Sequence, residues 1–418
     1  MSSYNEINDI RRRQWLYYAT KFYLSRMPFS KARDYNLWVF SAWEGNKYAD
    51  NSKYLYEYML GHQKHINCIW QTKNKAVYDE MKKSGLPVQL LGSQESKKTL
   101  QLAGVAVYTN GIDDFGYSTD VFGATLVCLW HGAGFKKGYR LQLDENKTLR
   151  RRLSDCKFKL FSWVKRDITV TTSQYEADLF RRTFLLSKQA PICISGQARN
   201  DALMHHYSIQ EVFTNEKFIQ KFVGKKLILF MPTYREHNEP FINNIRNIFA
   251  SKLLENLLCE NDAMLLVKLH YLNVGKINDN SACCLLNDSD VKDVQKLTAI
   301  ADISISDYSS SVTDYALLKR PIIFYIPDWD EYGADKLMMP ETKEVCKINC
   351  AHNLNELIDT ISITLSNPSC GIAQANKINE LIDDTDVEVG GFAEANFKSI
   401  IRELNHANKI RKTFKEST

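Results

Sequence analysis

The sequence predicts an α/β protein built from two Rossmann-like parallel-sheet halves, and three observations predict it. Short apolar runs rich in Val, Ile and Leu alternate with helical stretches of about ten residues, the pattern of successive βαβ units. The alternation starts near Asn36 and begins again near Gly196. The chain has 418 residues, 44% of them hydrophobic, more than one core usually holds.

Residues 1–31 set Arg11, Arg12, Arg13, Lys21 and Arg26 against Trp15, Leu16, Tyr18, Phe22, Tyr23 and Met27 at helical spacing. That suits an amphipathic helix at an anionic membrane surface, and equally a helix packed on its own domain. The first half, residues 32–190, then reads as a strand at Leu37–Phe40, a helix over 52–61, and a strand at Ile66–Trp70. A helix over 75–83 and strands at Val105–Tyr108, Ala124–Trp130 and Ile168–Thr172 follow. Ser173 is an N-cap candidate for a helix running to about Leu186. The second half, residues 191–390, carries strands at Leu227–Met231, Ala263–Lys268, Cys283–Leu286, Asp302–Ser306 and Ile322–Ile326. No long Gly/Ser linker separates the halves, so they are expected to face each other across a cleft. Residues 391–418 form a polar, helical tail ending in Lys409, Arg411, Lys412 and Lys415, either solvated or crossing back onto the first half.

Composition narrows the function. A net charge of +5 over this length, with no recognisable RNA or DNA module, argues against nucleic acid as a partner. The ten cysteines are scattered, and Cys128, Cys193, Cys283 and Cys284 lie inside apolar strand-like runs. With no secretory signal, they read as reduced core thiols of a cytoplasmic protein. Cys346 and Cys350 have no second Cys/His pair to complete a zinc site, so no metal is expected. No apolar run reaches the roughly 20 residues that cross a bilayer. Neither GxGxxG nor GxxxxGK[ST] occurs, which argues against a dinucleotide cofactor and a P-loop, and no cofactor is expected.

Ligands of open α/β sheets bind beyond the carboxyl ends of the strands, so the residues there are the candidates. After Ala124–Trp130 come His131, Gly132, Ala133 and Gly134: a histidine at a strand tip, with glycines that permit close approach, is placed as a general base. After Leu227–Met231 come Pro232, Thr233, Tyr234 and Arg235, and the next strand ends in Lys268, Leu269 and His270. The segment Asp307–Tyr308–Ser309–Ser310–Ser311 joins a strand to a helix beginning at Val312, and presents hydroxyls and helix-start N–H groups where a phosphate would sit. Arg235, Lys268 and His270 with the three serines could surround a diphosphate. A basic stretch from Lys136 to Arg152 suits an anionic acceptor, anionic lipid, or a solvated helix face.

Together these segments resemble the CDP-glycerol glycerophosphotransferase family, the teichoic-acid and capsule polyol-phosphate transferases. The resemblance is carried in order by Trp43–Asn51 with Tyr54–Tyr56, Leu129–Gly132, Gly196–Asp201, Met231–Arg235, Lys268–His270, and Ser306–Tyr315 running into Lys319–Tyr325. It implies a GT-B architecture and transfer of a polyol phosphate from CDP-glycerol, or CDP-ribitol, to a hydroxyl of a glycan or lipid-linked saccharide, with CMP leaving. It makes His131 the base and His270 the histidine near the donor diphosphate. Ser309 and Ser310 become the phosphate-contacting pair, with Arg235 and Lys268 as neighbouring cations. Beside what the resemblance implies, Gly132, Thr233, Asp307, Ser311 and Asp314 are expected to complete the substrate-binding set, Asp307 and Asp314 by orienting the serine turn.

The chain departs from the family where Ala133–Gly134–Phe135–Lys136 replaces Thr-Pro-Leu-Lys and Ala198 replaces a proline, which bears on acceptor geometry. Charge building on the phosphoryl oxygens and CMP calls for fixed N–H groups and cations, and a neutral imidazole near its usual pKa of roughly 6.5 suits the base. The implied role is a primer or linker-forming step on the inner face of the membrane. Rival readings are a GT-B glycosyltransferase using a nucleotide sugar, a polyol-phosphate polymerase using CDP-ribitol, and a membrane-docking subunit.

Overall fold

The computed structural model describes residues 32–116, 118–132, 134, 136, 153, 166–233, 235, 239–269, 277–330 and 338–416, with side chains to residue 406. The proposed N-terminal amphipathic helix, His270 and most of the basic stretch after His131 lie outside the described residues.

The chain divides into two compact units, one holding the described residues of 32–131, 153, 166–199 and 385–416, the other 132, 134, 136 and those of 200–384. The first unit contains β1 (Asp34–Phe40), β2 (Asn67–Thr72), β3 (Val88–Leu90), β4 (Ala103–Tyr108), β5 (Thr125–Cys128), β6 (Ile168–Thr171) and β7 (Ile192–Ile194). The second contains β8 (Lys226–Phe230), β9 (Ala263–Lys268), β10 (Cys283–Leu286), β11 (Ile303–Ser306), β12 (Ile322–Tyr325) and β13 (Cys350–Ala351). The sheet orders are β3-β2-β1-β4-β5-β6-β7 and β10-β9-β8-β11-β12-β13, and the strand pairings in both are parallel. Each half is therefore a doubly wound sheet whose order reverses beside its first strand, at β1/β4 and at β8/β11, which is where such sheets bind ligands.

Helices cover both faces of a parallel sheet, so its strands are apolar throughout rather than alternating. All six residues of β4 are buried. One face of the first sheet packs Trp38, Phe40, Tyr56 and Trp70 into a single cluster. In the second unit Phe230, Leu265, Ile305 and Tyr325 line one face, and Leu229, Leu266 and Phe324 the other. Cys128, Cys193, Cys283 and Cys284 are buried with unbonded thiols, as their apolar surroundings imply.

The strand read at Ala124–Trp130 stops at Cys128, because Trp130 takes the left-handed conformation (φ 56°) and turns the chain out of the sheet. Ser173 caps its helix by accepting from the Glu176 N–H at 3.1 Å. The strands β3 and β7 carry no readable periodicity, being three residues each. The C-terminal helix, Phe392–Glu416, joins the first unit, with Ala393, Ile400 and Leu404 in the same cluster as Trp38. It is latched by the Asn396 amide, which donates to the carbonyls of Ser195 at 2.9 Å and Gly196 at 3.0 Å. Gly196 has φ +76°, and a Cβ there would lie 2.1 Å from the Phe392 ring, so only glycine lets the helix approach.

Candidate active site

In the first unit, three segments distant in sequence converge on His131. The Asn51 side chain donates from Nδ2 to the carbonyls of Trp130 (3.0 Å) and Leu129 (3.3 Å), and its Oδ1 accepts the Arg199 backbone N–H at 3.1 Å. Arg199 Nη1 donates both to Asp50, at 2.8 Å, and to the His131 carbonyl, at 3.0 Å. The Arg199–Asp50 pair is nearly buried, with side chains 10% and 4% exposed, so its geometry is held by low-dielectric electrostatics rather than by solvent.

The loop after β1 approaches the same place. Trp43 and Glu44 both have positive φ, 50° and 55°, and the buried Asp114 carboxylate fixes that strained turn by accepting the Glu44 N–H at 2.7 Å. Asp114 also accepts from Thr109 N and Asn110 N, at 2.9 and 3.0 Å, tying the ends of β1 and β4 together at the point where the strand order reverses. Backbone strain of this kind persists only where surrounding contacts over-determine it, as they do here.

The His131 ring lies 4.1 Å from the Trp130 ring and 5.8 Å from that of Trp43. Its Nδ1 is buried with no hydrogen-bond partner of standard geometry. Burial lowers its pKa to about 4; the Asp50 charge and a hydrogen bond with the Thr109 backbone oppose that shift and Arg199 and Arg166 reinforce it. The imidazole is therefore neutral across the physiological range, as a base must be, but well below the 6.5 expected from the sequence: aromatic walls cost the charged ring its hydration. Gly132, buried with φ 147°, begins the second unit's share of the chain.

In the second unit Asp307 organises the loops after β8 and β11. Fully buried, it accepts the Thr233 N–H at 2.9 Å, the Thr233 hydroxyl at 3.0 Å, the Ser309 N–H at 3.0 Å and Arg235 Nη1 at 2.8 Å. Arg235 Nε and Nη2 hold Asp328, at 2.5 and 3.1 Å, and Tyr308 donates to the same carboxylate at 3.2 Å. The Ser309 and Ser311 hydroxyls are 2.9 Å apart, the Ser309 oxygen accepts the Ser311 N–H at 3.3 Å, and the short helix Ser311–Ala316 follows. The three serines are only partly buried, which leaves their polar groups at a surface.

The structure thus groups Thr233, Arg235, Asp307, Ser309, Ser310 and Ser311, but corrects several expected roles. Arg235 is not an open phosphate cation: it is 8% exposed, and its donors are engaged by Asp307, Asp328 and the Thr233 carbonyl. Asp314 is buried on the short helix, and its Oδ2 accepts from Gln295 at 3.0 Å. Lys268 is ion-paired with Asp288. Asp307 accepts the Ser309 N–H of the serine turn at 3.0 Å.

Several site residues escaped individual assignment. Asp50, Asn51 and Arg199 lie within the motif segments, yet their pairing is tertiary. Asp328 directly follows Ile326–Pro327 at the end of β12, a carboxylate at a strand end that strand-end reasoning could have found. Lys136 reads as one of a basic run, but it is half-buried in the second unit, its backbone bridged to Met338, its pKa lowered by burial against the opposing Asp307 charge. Among the described residues no cluster of three or more His, Cys, Asp or Glu could hold a metal ion.

Comparison with known proteins accords with this geometry. Residues 23–380 match the family described as CDP-Glycerol:Poly(glycerophosphate) glycerophosphotransferase. The chain is 29% identical over 323 residues to the teichoic acid glycerol-phosphate transferase of Staphylococcus aureus (strain NCTC 8325 / PS 47), covering 76% of this chain and 79% of that protein. It is also 29% identical over 314 residues to the teichoic acid poly(glycerol phosphate) polymerase of Bacillus spizizenii (strain ATCC 23059 / NRRL B-14472 / W23), covering 72% of this chain and 76% of the other. A solved structure of the wall teichoic acid polymerase TagF superposes with a TM-score of 0.68 at 20% identity, covering 97% of each chain, which fixes the fold as the GT-B type anticipated. The match over residues 23–380 makes the chain an enzyme of the CDP-glycerol glycerophosphotransferase family.

Proposed function

We propose that this enzyme moves glycerol phosphate from CDP-glycerol to a hydroxyl of a lipid-linked or glycan acceptor of the teichoic-acid or capsule type, releasing CMP, as a primer or linker-forming step. The observation that carries this reading is the buried, neutral His131, its backbone carbonyl held by the Asp50-paired Arg199 and the carbonyl before it by Asn51, a base placed to take a hydroxyl proton. The serine turn braced by Asp307 supplies hydroxyl and N–H donors for the donor phosphates, with Lys136, on which the Asp307 charge acts, as a cation beside it. In this mechanism the acceptor oxygen, losing its proton to His131, forms a bond to the β-phosphorus while the bond to the CMP oxygen breaks. Negative charge on the phosphoryl oxygens and departing CMP is met by preorganised donors.

Among the described residues no helix is long and apolar enough to cross a membrane, and a peripheral association with the inner face is part of this proposal. The test is incubation with CDP-glycerol and, separately, CDP-ribitol plus a lipid-linked or capsular oligosaccharide. CMP release with a mass gain of one glycerol phosphate supports the reading, and the length of the product ladder separates primer from polymerase. A nucleoside diphosphate with a new glycosidic bond would overturn it in favour of a sugar transferase.

A further inference from the structure

The first unit buries a cation that no carboxylate among its described residues neutralises. Arg166, just before β6, is 6% exposed, and its Nε and Nη1 are buried without hydrogen-bond partners. The guanidinium lies 3.5 Å from the centroid of the Phe184 ring and 5.0 Å from that of Trp130, so aromatic faces hold it in place. Aromatic faces do not replace the hydrogen bonds a buried guanidinium loses with water. The nearby carboxylates are committed elsewhere: Asp50 to Arg199, Asp114 to the loop backbone, and Asp167 to the Leu126 N–H at 2.8 Å.

Two more open hydrogen-bonding groups accompany it. The Tyr108 hydroxyl at the end of β4 is fully buried without a partner, and the Arg166 charge acts on it. Nδ1 of His131, beyond β5, is likewise buried with no partner of standard geometry, the Thr109 backbone being the ring's hydrogen-bonding neighbour, and Arg166 acts on that ring too. The three groups come from the adjacent strands β4, β5 and β6 of one sheet.

We propose that Arg166, Tyr108 and His131 line a phosphate-binding subsite for the acceptor, the guanidinium fork taking two phosphoryl oxygens and the Tyr108 hydroxyl donating to the ester. The ligand class is a phosphomonoester or phosphodiester borne by the acceptor beside the reacting hydroxyl. The anion restores neutrality to Arg166, and its charge next to His131 raises the basicity that burial removes, so acceptor binding readies the base. This inference rests on the acceptor half of the function proposed above.

The test measures calorimetric binding of sn-glycerol 3-phosphate to the full chain with excess CDP present to occupy the donor site, for wild type, Arg166→Lys and Tyr108→Phe. The expected result is saturable binding that weakens about tenfold in Arg166→Lys, which loses the fork, and about threefold in Tyr108→Phe, with unchanged melting temperatures. Absence of saturable binding to wild type, or wild-type affinity in folded Tyr108→Phe and Arg166→Lys, overturns the subsite; if Arg166→Lys does not fold, Tyr108→Phe alone decides. CMP release from CDP-glycerol by the same wild-type preparation separates the two readings. Transfer without phosphate binding refutes the subsite, whereas phosphate binding without transfer refutes the proposed function.

Discussion

His131 and Asp307 each occupy a strand-end loop of a doubly wound sheet, and the two units bury them in opposite ways. Asp307 receives donors from Thr233, Ser309 and Arg235, so its charge is matched inside its own unit. His131 has its backbone carbonyl tied down by Arg199 while its ring nitrogen Nδ1 stays open between aromatic walls. The difference matches the two roles proposed for them. A phosphate site needs preorganised dipoles that do not relax, whereas a base needs unused hydrogen-bonding capacity and a neutral resting state.

Replacing His131 breaks the comparison most severely. His131→Ala should lower transfer by about 10²- to 10⁴-fold while leaving CDP-glycerol binding within a few-fold of wild type, because a general base acts on the acceptor hydroxyl rather than on the donor phosphates. Parallel titrations of CMP release and nucleotide binding check this, and a matching loss of binding would remove the base role. Asp307→Asn is expected to act the other way, costing about 3–5 kcal/mol of stability by leaving Arg235 undercompensated and setting an amide against backbone donors. Urea unfolding reads that loss, and a change below about 1 kcal/mol would show that Asp328 alone suffices for Arg235.

The open state of His131 also has a pH signature. Its folded pKa of about 4 lies below the roughly 6.5 of an exposed histidine, so between those values the unfolded chain binds the extra proton. Stability contributed by the neutral ring is complete above about pH 7 and declines as pH falls through that window, by about 3 kcal/mol in total. Denaturation midpoints of wild type and His131→Asn, compared at pH 7 and pH 4.5, check the sign: the difference should shrink in acid. A smaller effect is expected at the latch of the C-terminal helix, where Gly196→Ala places a methyl group against Phe392 and forces a non-glycine residue to positive φ. A loss of about 2–4 kcal/mol is expected, seen as a lowered melting temperature, with partial recovery on adding Phe392→Ala.

What was legible in the sequence follows from how each feature is encoded. Apolar runs and caps are local, so most strands and the Ser173 cap can be read directly, whereas β3 and β7 are too short to show a period. His131, Thr233 and the serine turn stood out because strand ends are sequence-visible. The pairing of Asp50 with Arg199, across 149 positions, and of Arg235 with Asp328, across 93, leaves no local trace. That is why Arg235 looked like a substrate cation and Arg166 attracted no notice.

The sequence by itself determined the α/β class, the two-unit organisation, the family and the strand-end loops proposed to bear the chemistry, because hydrophobic periodicity and motif order are written along the chain. Only the tertiary structure decided which charges neutralise each other and which stay open. Burial, which lowers the pKa of His131 and leaves Nε and Nη1 of Arg166 without hydrogen-bond partners among the described residues, is a property of packed neighbours rather than of residue order.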